Sequence, residues 1–367
     1  MNVWRRVVVK IGSALLVDTE AAAPRAAWLA SVAADIFSLR TAGIEVVVVS
    51  SGAIALARRS LKLEGRLRLA EQQAAASVGQ IRLAQAWSEA LSAQGLVAAQ
   101  LLLTAEDTEA RRRYLNARAT LETLLALGCV PVINENDAVA TAEIRFGDND
   151  RLAARVAGMI AADTLILLSD IDGLYTADPR RDPAATHIPV VASLTPEVEA
   201  MGGDPPPGFS SGGMRTKLAA ARIATGAGVA MAIAPGSCEH PLARLRDGGR
   251  CTWFLPTTDA RSARKGWILG TLSPQGRLLV DAGAARALAR GGSLLPAGVR
   301  AVEGKFERGD AVDVAGPDGL SLGRGLAGYG AADMARIAGH RSEAIFAILG
   351  WSGRDEVIHR DDLVLLG

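Results

Sequence analysis

The sequence predicts an α/β protein, a three-layer sandwich with a mostly parallel central sheet, followed by a smaller, mainly β domain. Three observations predict it. Short runs that are apolar throughout (Val7–Val9, Val46–Val49, Val130–Ile133, Leu165–Leu168 and Val229–Ile233) fit strands buried on both faces, as in a parallel sheet. Proline-free stretches rich in Ala and Leu fall between those runs and read as helices: Ala26–Leu39, Leu69–Leu91, Arg113–Leu127, Arg151–Ala162 and Thr216–Thr225. The pattern then changes after Leu255. The polar stretch Leu255–Lys265, with Pro256, Thr257, Thr258, Asp259 and Arg261, reads as a linker. Beyond it, short elements alternate with Gly and Asp turns, and Val299–Gly304, Ala311–Ala315 and Ala344–Leu349 are expected as small-barrel strands. The expected organisation is a first domain over 1–257, a linker over 258–275 and a second domain over 276–367. Two domains suit a chain of 367 residues at about 100–200 residues each.

Composition narrows the function classes. A formal charge of +1 gives no bulk attraction to nucleic acid or to an acidic membrane. From Gly276 onward, eleven Arg and Lys face twelve Asp and Glu, whereas a dedicated RNA surface is usually basic. RNA binding stays as an alternative only through a local cluster such as Arg286, Arg290 and Arg300. No apolar run reaches the roughly 18 residues of a membrane span, and Met1–Lys10 leads straight into a strand-like run without a leader's long apolar stretch. Cys129, Cys238 and Cys251 are far apart, and His187, His240, His340 and His359 form no close pair, so neither disulfides nor a zinc site is expected. The expected setting is the cytoplasm, with reduced thiols.

Ligands in open α/β sheets sit beyond the carboxyl ends of the strands, so the loops after the apolar runs should carry the function. In Val9-Lys10-Ile11-Gly12-Ser13, Lys10 is either a surface lysine or a phosphate contact, with Gly12 allowing close backbone approach. Ser50-Ser51-Gly52-Ala53 turns into a helix and is either an ordinary cap or an anion site; it is not a Walker A loop. Ile133-Asn134-Glu135-Asn136-Asp137, with Thr141, Glu143 and Gly147-Asp148-Asn149-Asp150, concentrates acids and amides beyond one strand. Their mutual repulsion calls for cations: a metal, lysines or a substrate ammonium. Ser169-Asp170 and Gly173–Pro179 suit a nucleotide contact or a plain surface loop. In Ser211-Gly212-Gly213-Met214-Arg215-Thr216-Lys217, glycines precede a helix and Lys217 opposes the helix dipole, which implies an anionic partner such as a phosphate.

Together these loops resemble the amino acid kinase family, and specifically its glutamate-phosphorylating members. The matching strings are Val8–Gly12, Ser50–Ala55, Ile133–Asp137, Gly147–Asp150, Gly173–Pro179 and Gly212–Lys217, in the family's order. Gly291–Pro296 and Gly304–Asp310 resemble the PUA domain that many bacterial members carry. The resemblance implies the amino acid kinase fold, with ATP and Mg²⁺ as cofactors, the metal arriving with the nucleotide rather than on protein ligands. It implies that Lys10, Lys217, Asp148 and Asp150 are catalytic, with Asp148 or Asp150 orienting the lysines or the metal. Ser51, Gly52, Asn134, Asp137 and Asn149 would hold glutamate. Lys10, Gly12, Ser169, Asp170, Ser211, Gly212, Gly213, Met214, Arg215, Thr216 and Lys217 would hold the nucleotide. Ser169 stands where the family pattern leads one to expect Thr, and Phe209-Ser210-Ser211 departs from the usual approach to the glycine pair, which bears on fine nucleotide contacts.

The implied reaction is ATP-dependent phosphorylation of the γ-carboxylate of L-glutamate to L-glutamyl 5-phosphate, the first step of proline biosynthesis. A γ-carboxylate with pKa of about 4.3 is already ionised, so the lack of a candidate histidine base agrees with this chemistry. Within the fold, aspartate, N-acetylglutamate, carbamate and uridylate kinases are the rivals; Ile133–Asp137 and the PUA-like domain favour glutamate. The resemblance further implies feedback by proline around Asp107, Asp137 and Glu143, self-association, and hand-off of the product to glutamyl phosphate reductase.

Overall fold

The computed structural model describes residues 4–18, 20–139, 149–203, 213–259, 262–263, 273–351 and 353–366. The chain folds as two compact units, residues 1–260 and 261–367.

The first unit is built on an eight-stranded sheet. In chain order its strands are β1 (Arg6–Ile11), β2 (Glu45–Ser50), β3 (Ala98–Leu103), β4 (Val130–Glu135), β5 (Thr164–Ser169), β6 (Val190–Val191), β7 (Ala230–Pro235) and β8 (Thr252–Phe254). Their spatial order is β6-β8-β7-β5-β1-β2-β4-β3, and only the β7–β8 pairing is antiparallel. Strand side chains alternate between faces, and here both faces are covered. Val7, Val9, Ile11, Val46 and Val48 pack on one side with helices α1 (Ala26–Thr41), α2 (Ala53–Arg58) and α3 (Leu69–Ser92). Val8, Val47 and Val49 pack on the other with α4 (Arg111–Ala126), α5 (Asn149–Met159) and α6 (Met214–Gly226). That is the expected three-layer sandwich. In α1 the inward positions Trp28, Leu29, Val32, Ile36 and Leu39 repeat at helical spacing, which is why a single stripe of this helix suffices to seal its side.

The topology decides where a site can form. From β1 the chain steps to β2, on to the edge at β3, back to β4, and then across to β5 on the far side of β1. The carboxyl ends of β2, β1 and β5 therefore flank the point where the order reverses, the usual place for a ligand in such a sheet.

α3 lies unusually close to α2. A Cβ built on Gly79 would stand 1.7 Å from the carbonyl oxygen of Ala53. In an exposed helix Gly→Ala gains up to about 1 kcal/mol. Here the clash dominates, and overpacking should make Gly79→Ala destabilising by about 1–3 kcal/mol. A denaturation midpoint at or above that of the wild type would contradict the packing.

The second unit has a five-stranded sheet of β9 (Gly276–Val280), β10 (Val299–Gly304), β11 (Ala311–Ala315), β12 (Ser321–Leu326) and β13 (Leu363–Leu365), ordered β10-β9-β11-β12-β13. Its own core includes Leu278, Val312, Val314, Tyr329, Met334 and Ile337. One expectation fails here. Ala344–Leu349 is not a strand: Ser342–Ala344 is a 3-10 turn and Ile345–Leu349 is a short helix that ends at Gly350 in the left-handed region, φ 81°. A short apolar run without alternation does not separate strand from helix, and the glycine terminator decides it. Among the described residues, no helix is long and apolar enough to cross a membrane.

Candidate active site

The strand ends converge on one dipeptide at the start of α5, Asn149-Asp150. Asp150 faces two lysines. Lys10, next to last in β1, places Nζ 2.7 Å from Oδ1 of Asp150, and Lys217, in the first turn of α6, places Nζ 3.4 Å from Oδ2. Thr216 Oγ1 donates to the same Oδ2 at 2.9 Å. Both lysines and the aspartate are buried. Burial alone would raise the Asp150 carboxyl, but the two lysines and the Thr216 hydroxyl outweigh it and hold the pKa at about 2. The carboxylate is therefore ionised at any working pH. Two ammonium groups against one carboxylate leave a buried excess of positive charge, ready for an oxyanion such as a phosphate. The anionic partner that the sequence demanded for Lys217 is thus supplied first by the protein itself, through Asp150.

Asn149 faces the other way. Its Nδ2 donates to Ser51 Oγ at 2.7 Å and to Asn134 Oδ1 at 3.0 Å, joining the ends of β2 and β4. Period-2 alternation explains the position of Asn134. Val130 and Val132 face α3, so Asn134 does too, and its Nδ2 donates to Gln80 Oε1 on α3 at 2.8 Å. Ser50, at the matching place in β2, accepts from Trp87 Nε1 of the same helix at 2.9 Å. Gly52 follows at φ 118°, where a Cβ would come within 3.0 Å of Val17, so this turn into α2 requires glycine. Gly12 is different: its backbone is extended (φ −76°), and a Cβ there would sit 3.7 Å from Lys10 Nζ. That is ordinary van der Waals contact, so neither the backbone nor its described neighbours demand glycine at this position.

Asp137, half-buried after β4, has no cation beside it among the described residues to favour its charge. Burial raises its carboxyl to about 6. An arriving ammonium group would remove that cost.

The remaining predicted residues stand apart from this network. Ser169 Oγ donates to Asp170 at 3.1 Å, and Arg180 pairs with Asp170 at 3.1 Å. Burial raises the Asp170 carboxyl, but these two partners more than offset it and lower the pKa. Gly213 is extended and caps α6, Met214 packs against the second core cluster, and Arg215 is exposed on the first turn. Asp107 is held by Thr104 and by Arg113 at 2.9 Å. Asp148, Glu143, Ser211 and Gly212 lie outside the described residues. Sequence reasoning missed Gln80 and Trp87. The one available signal was Gly79, a glycine inside a helical pattern, which marks close approach of another backbone. Among the described residues, no group of three His, Cys, Asp or Glu side chains forms a metal site.

Comparison with known proteins agrees with this architecture. The model of the amino acid kinase family matches residues 5–234, and that of the PUA domain matches residues 276–349. The chain is 65% identical over 362 residues to a protein named Glutamate 5-kinase from Gluconobacter oxydans (strain 621H), covering 98% of this chain and 96% of the relative. It is 62% identical over 363 residues to the Glutamate 5-kinase of Paramagnetospirillum magneticum (strain ATCC 700264 / AMB-1), covering 99% and 98%. The protein of the same name from Bradyrhizobium sp. (strain BTAi1 / ATCC BAA-1182) is 61% identical over 363 residues, covering 99% and 96%. A kinase-family match over most of the chain, joined to full-length likeness at this level, assigns the family: the chain belongs to the amino acid kinase family.

Proposed function

We propose that this chain transfers the γ-phosphoryl group of ATP to the γ-carboxylate of L-glutamate, yielding ADP and L-glutamyl 5-phosphate in the first step of proline biosynthesis. The observation that carries the reading is the division of the site at Asn149-Asp150: a cationic half suited to phosphates and an amide-lined half suited to an amino acid. The full-length relatives named Glutamate 5-kinase support the same substrate.

In this reading a γ-carboxylate oxygen attacks the γ-phosphorus as the bond to the ADP oxygen breaks. No proton moves, so no general base is required. The task is to bring an anion to a polyanion, and phosphoryl transfer is mostly positioning and charge stabilisation. Lys10 and Lys217 donate to phosphoryl oxygens, with Asp150 holding both in place; Mg²⁺, when bound with the nucleotide, neutralises further phosphate charge. Ser51, Gly52, Asn134, Asp137 and Asn149 hold glutamate, and Gly12, Ser169, Asp170 and the start of α6 hold ATP. A free ammonium beside Asp137 favours glutamate over an N-acetylated substrate. Measuring ADP release with glutamate, aspartate and N-acetylglutamate tests this; turnover of either rival in preference to glutamate would sink it.

Burial pushes the carboxyl of Asp137 up to about 6. Protonated Asp137 cannot pair with an ammonium group, so kcat/KM for glutamate should fall about tenfold per pH unit below pH 6. Above that pH the buried charge costs the folded protein stability, and bound glutamate should offset the cost. Asp137→Asn should flatten this acidic limb; an unchanged profile would remove Asp137 from substrate binding.

The partners follow from the same reading. Proline competes with glutamate around Asp107, Asp137 and Glu143, which glutamate titrations with and without proline would test. Catalysis resides in residues 1–257 of a cytoplasmic enzyme that self-associates, measurable by light scattering. Its product passes to glutamyl phosphate reductase, measurable in a coupled assay.

A further inference from the structure

The amide orientations in the amino-acid half of the site are fixed by a donor that cannot be exchanged. The backbone N–H of Glu135 donates to the side chain of Asn134 at 2.9 Å, so the atom it meets must be Oδ1. Asn149 meets that same oxygen at 3.0 Å and must do so with its NH₂ group, which also donates to Ser51 Oγ at 2.7 Å. The NH₂ of Asn134 is then turned away, toward Gln80 Oε1 at 2.8 Å. Turning Asn134 over would set donor against donor at the Glu135 N–H, and turning Asn149 over would set acceptor against acceptor at Asn134 Oδ1. The relay therefore runs in one direction, and it leaves Asn149 Oδ1 as a buried acceptor with no partner among the described residues. In a folded protein such an atom is costly unless something arrives to use it.

We propose that Gln80 is a positioning residue that holds this relay in place, with Asn149 Oδ1 presented to the substrate ammonium group. The proposal rests on the reading of glutamate as substrate. Gln80 acts at a distance, through Asn134 and Asn149. Without its carbonyl, the Asn134 NH₂ is buried unsatisfied, the side chain swings to find a partner, and Asn149 loses the acceptor that fixes its orientation. α3 is placed for this task. Gly79 lets it approach α2 more closely than any Cβ would allow, and Trp87 ties it to the end of β2 through Ser50.

The test compares Gln80→Leu, Gln80→Met and Gln80→Glu in the full chain, with KM for glutamate, KM for ATP and kcat as readouts. Gln80→Leu and Gln80→Met, which lack the acceptor, should raise KM for glutamate about tenfold while KM for ATP and kcat stay within about threefold. Gln80→Glu keeps an acceptor for Asn134 and should restore KM for glutamate to within about threefold of wild type. If Gln80→Leu does not fold, the contrast between the Met and Glu variants decides. Unchanged KM for glutamate in the variants without an acceptor, failure of Gln80→Glu to rescue, or parallel rises in both KM values would overturn the proposal. Wild-type protein inert toward glutamate would overturn the functional reading and this proposal together; an active wild type with unchanged Gln80 variants would overturn the proposal alone.

Discussion

Replacing Asp150 with Ala should cost both stability and turnover, while leaving ATP binding at least as tight as in the wild type. The carboxylate lies between Lys10 at 2.7 Å and Lys217 at 3.4 Å, with only 3% of its side chain exposed. Its removal strands two buried ammonium groups, and breaking a buried pair in this way costs about 3–5 kcal/mol. For a unit of this size that is a Tm lower by about 10 °C. Because the folded-state pKa of Asp150 is about 2, below its ordinary value, the stabilisation is present above about pH 4 and is lost as the pH falls through 2. The gap between wild type and variant should therefore hold across neutral pH. The lysines, no longer held in place, should lower kcat by at least about 100-fold. ATP phosphates replace the missing countercharge, so KM for ATP should not rise. A variant as stable as the wild type, or one that has lost ATP binding, would contradict the placement of Asp150 between the lysines.

Lys10→Ala and Lys217→Ala should behave oppositely in stability. Each removes one of two cations and leaves Asp150 paired with the other, so the loss of folding free energy should be small. The loss of turnover should be large, about 10²–10³-fold in kcat, as for other donors aimed at charge in a phosphoryl or acyl transition state. In the proposed reading glutamate lies against the amide-lined half, so its KM should change less than about threefold in either variant. Lys10 is the closer of the two to Asp150, and both variants should be read side by side with Asp150→Ala. A lysine variant with near-normal kcat would exclude that residue from the transfer step.

Much of the frame was legible in the sequence because buried parallel strands leave little choice of residue. β1, β2, β4, β5 and β7 coincide with the apolar runs, and the loops that follow them lie at the carboxyl edge as expected. The edge strand β3 was not legible: Ala98–Leu103 is only partly buried and lacks β-branched residues. β8 was hidden because Thr252–Phe254 is three residues long and precedes the polar stretch. Within the site, Lys10 and the Asn134–Asp137 loop stood out by residue type after a buried strand. The pairings within it did not. Lys217 meets Asp150 across 67 residues of sequence and Asn134 meets Gln80 across 54, and no local pattern encodes such pairings. A glutamine inside a long helix resembles any surface residue until β4 and α3 are placed together. Asp170 stands out by its place after β5, but its pairing with Arg180 in the loop beyond was not legible.

The central claim is that one half of this site holds phosphates while the other presents an ionised amino-acid carboxylate to them. Trapping the product with hydroxylamine measures this directly, since an acyl phosphate yields a hydroxamate and a phosphate ester or an amide does not. Incubation of the purified chain with ATP, Mg²⁺, L-glutamate and hydroxylamine should give γ-glutamyl hydroxamate in proportion to the ADP released, and none without ATP. ADP release with no hydroxamate, or hydroxamate only from another amino acid, would contradict the account.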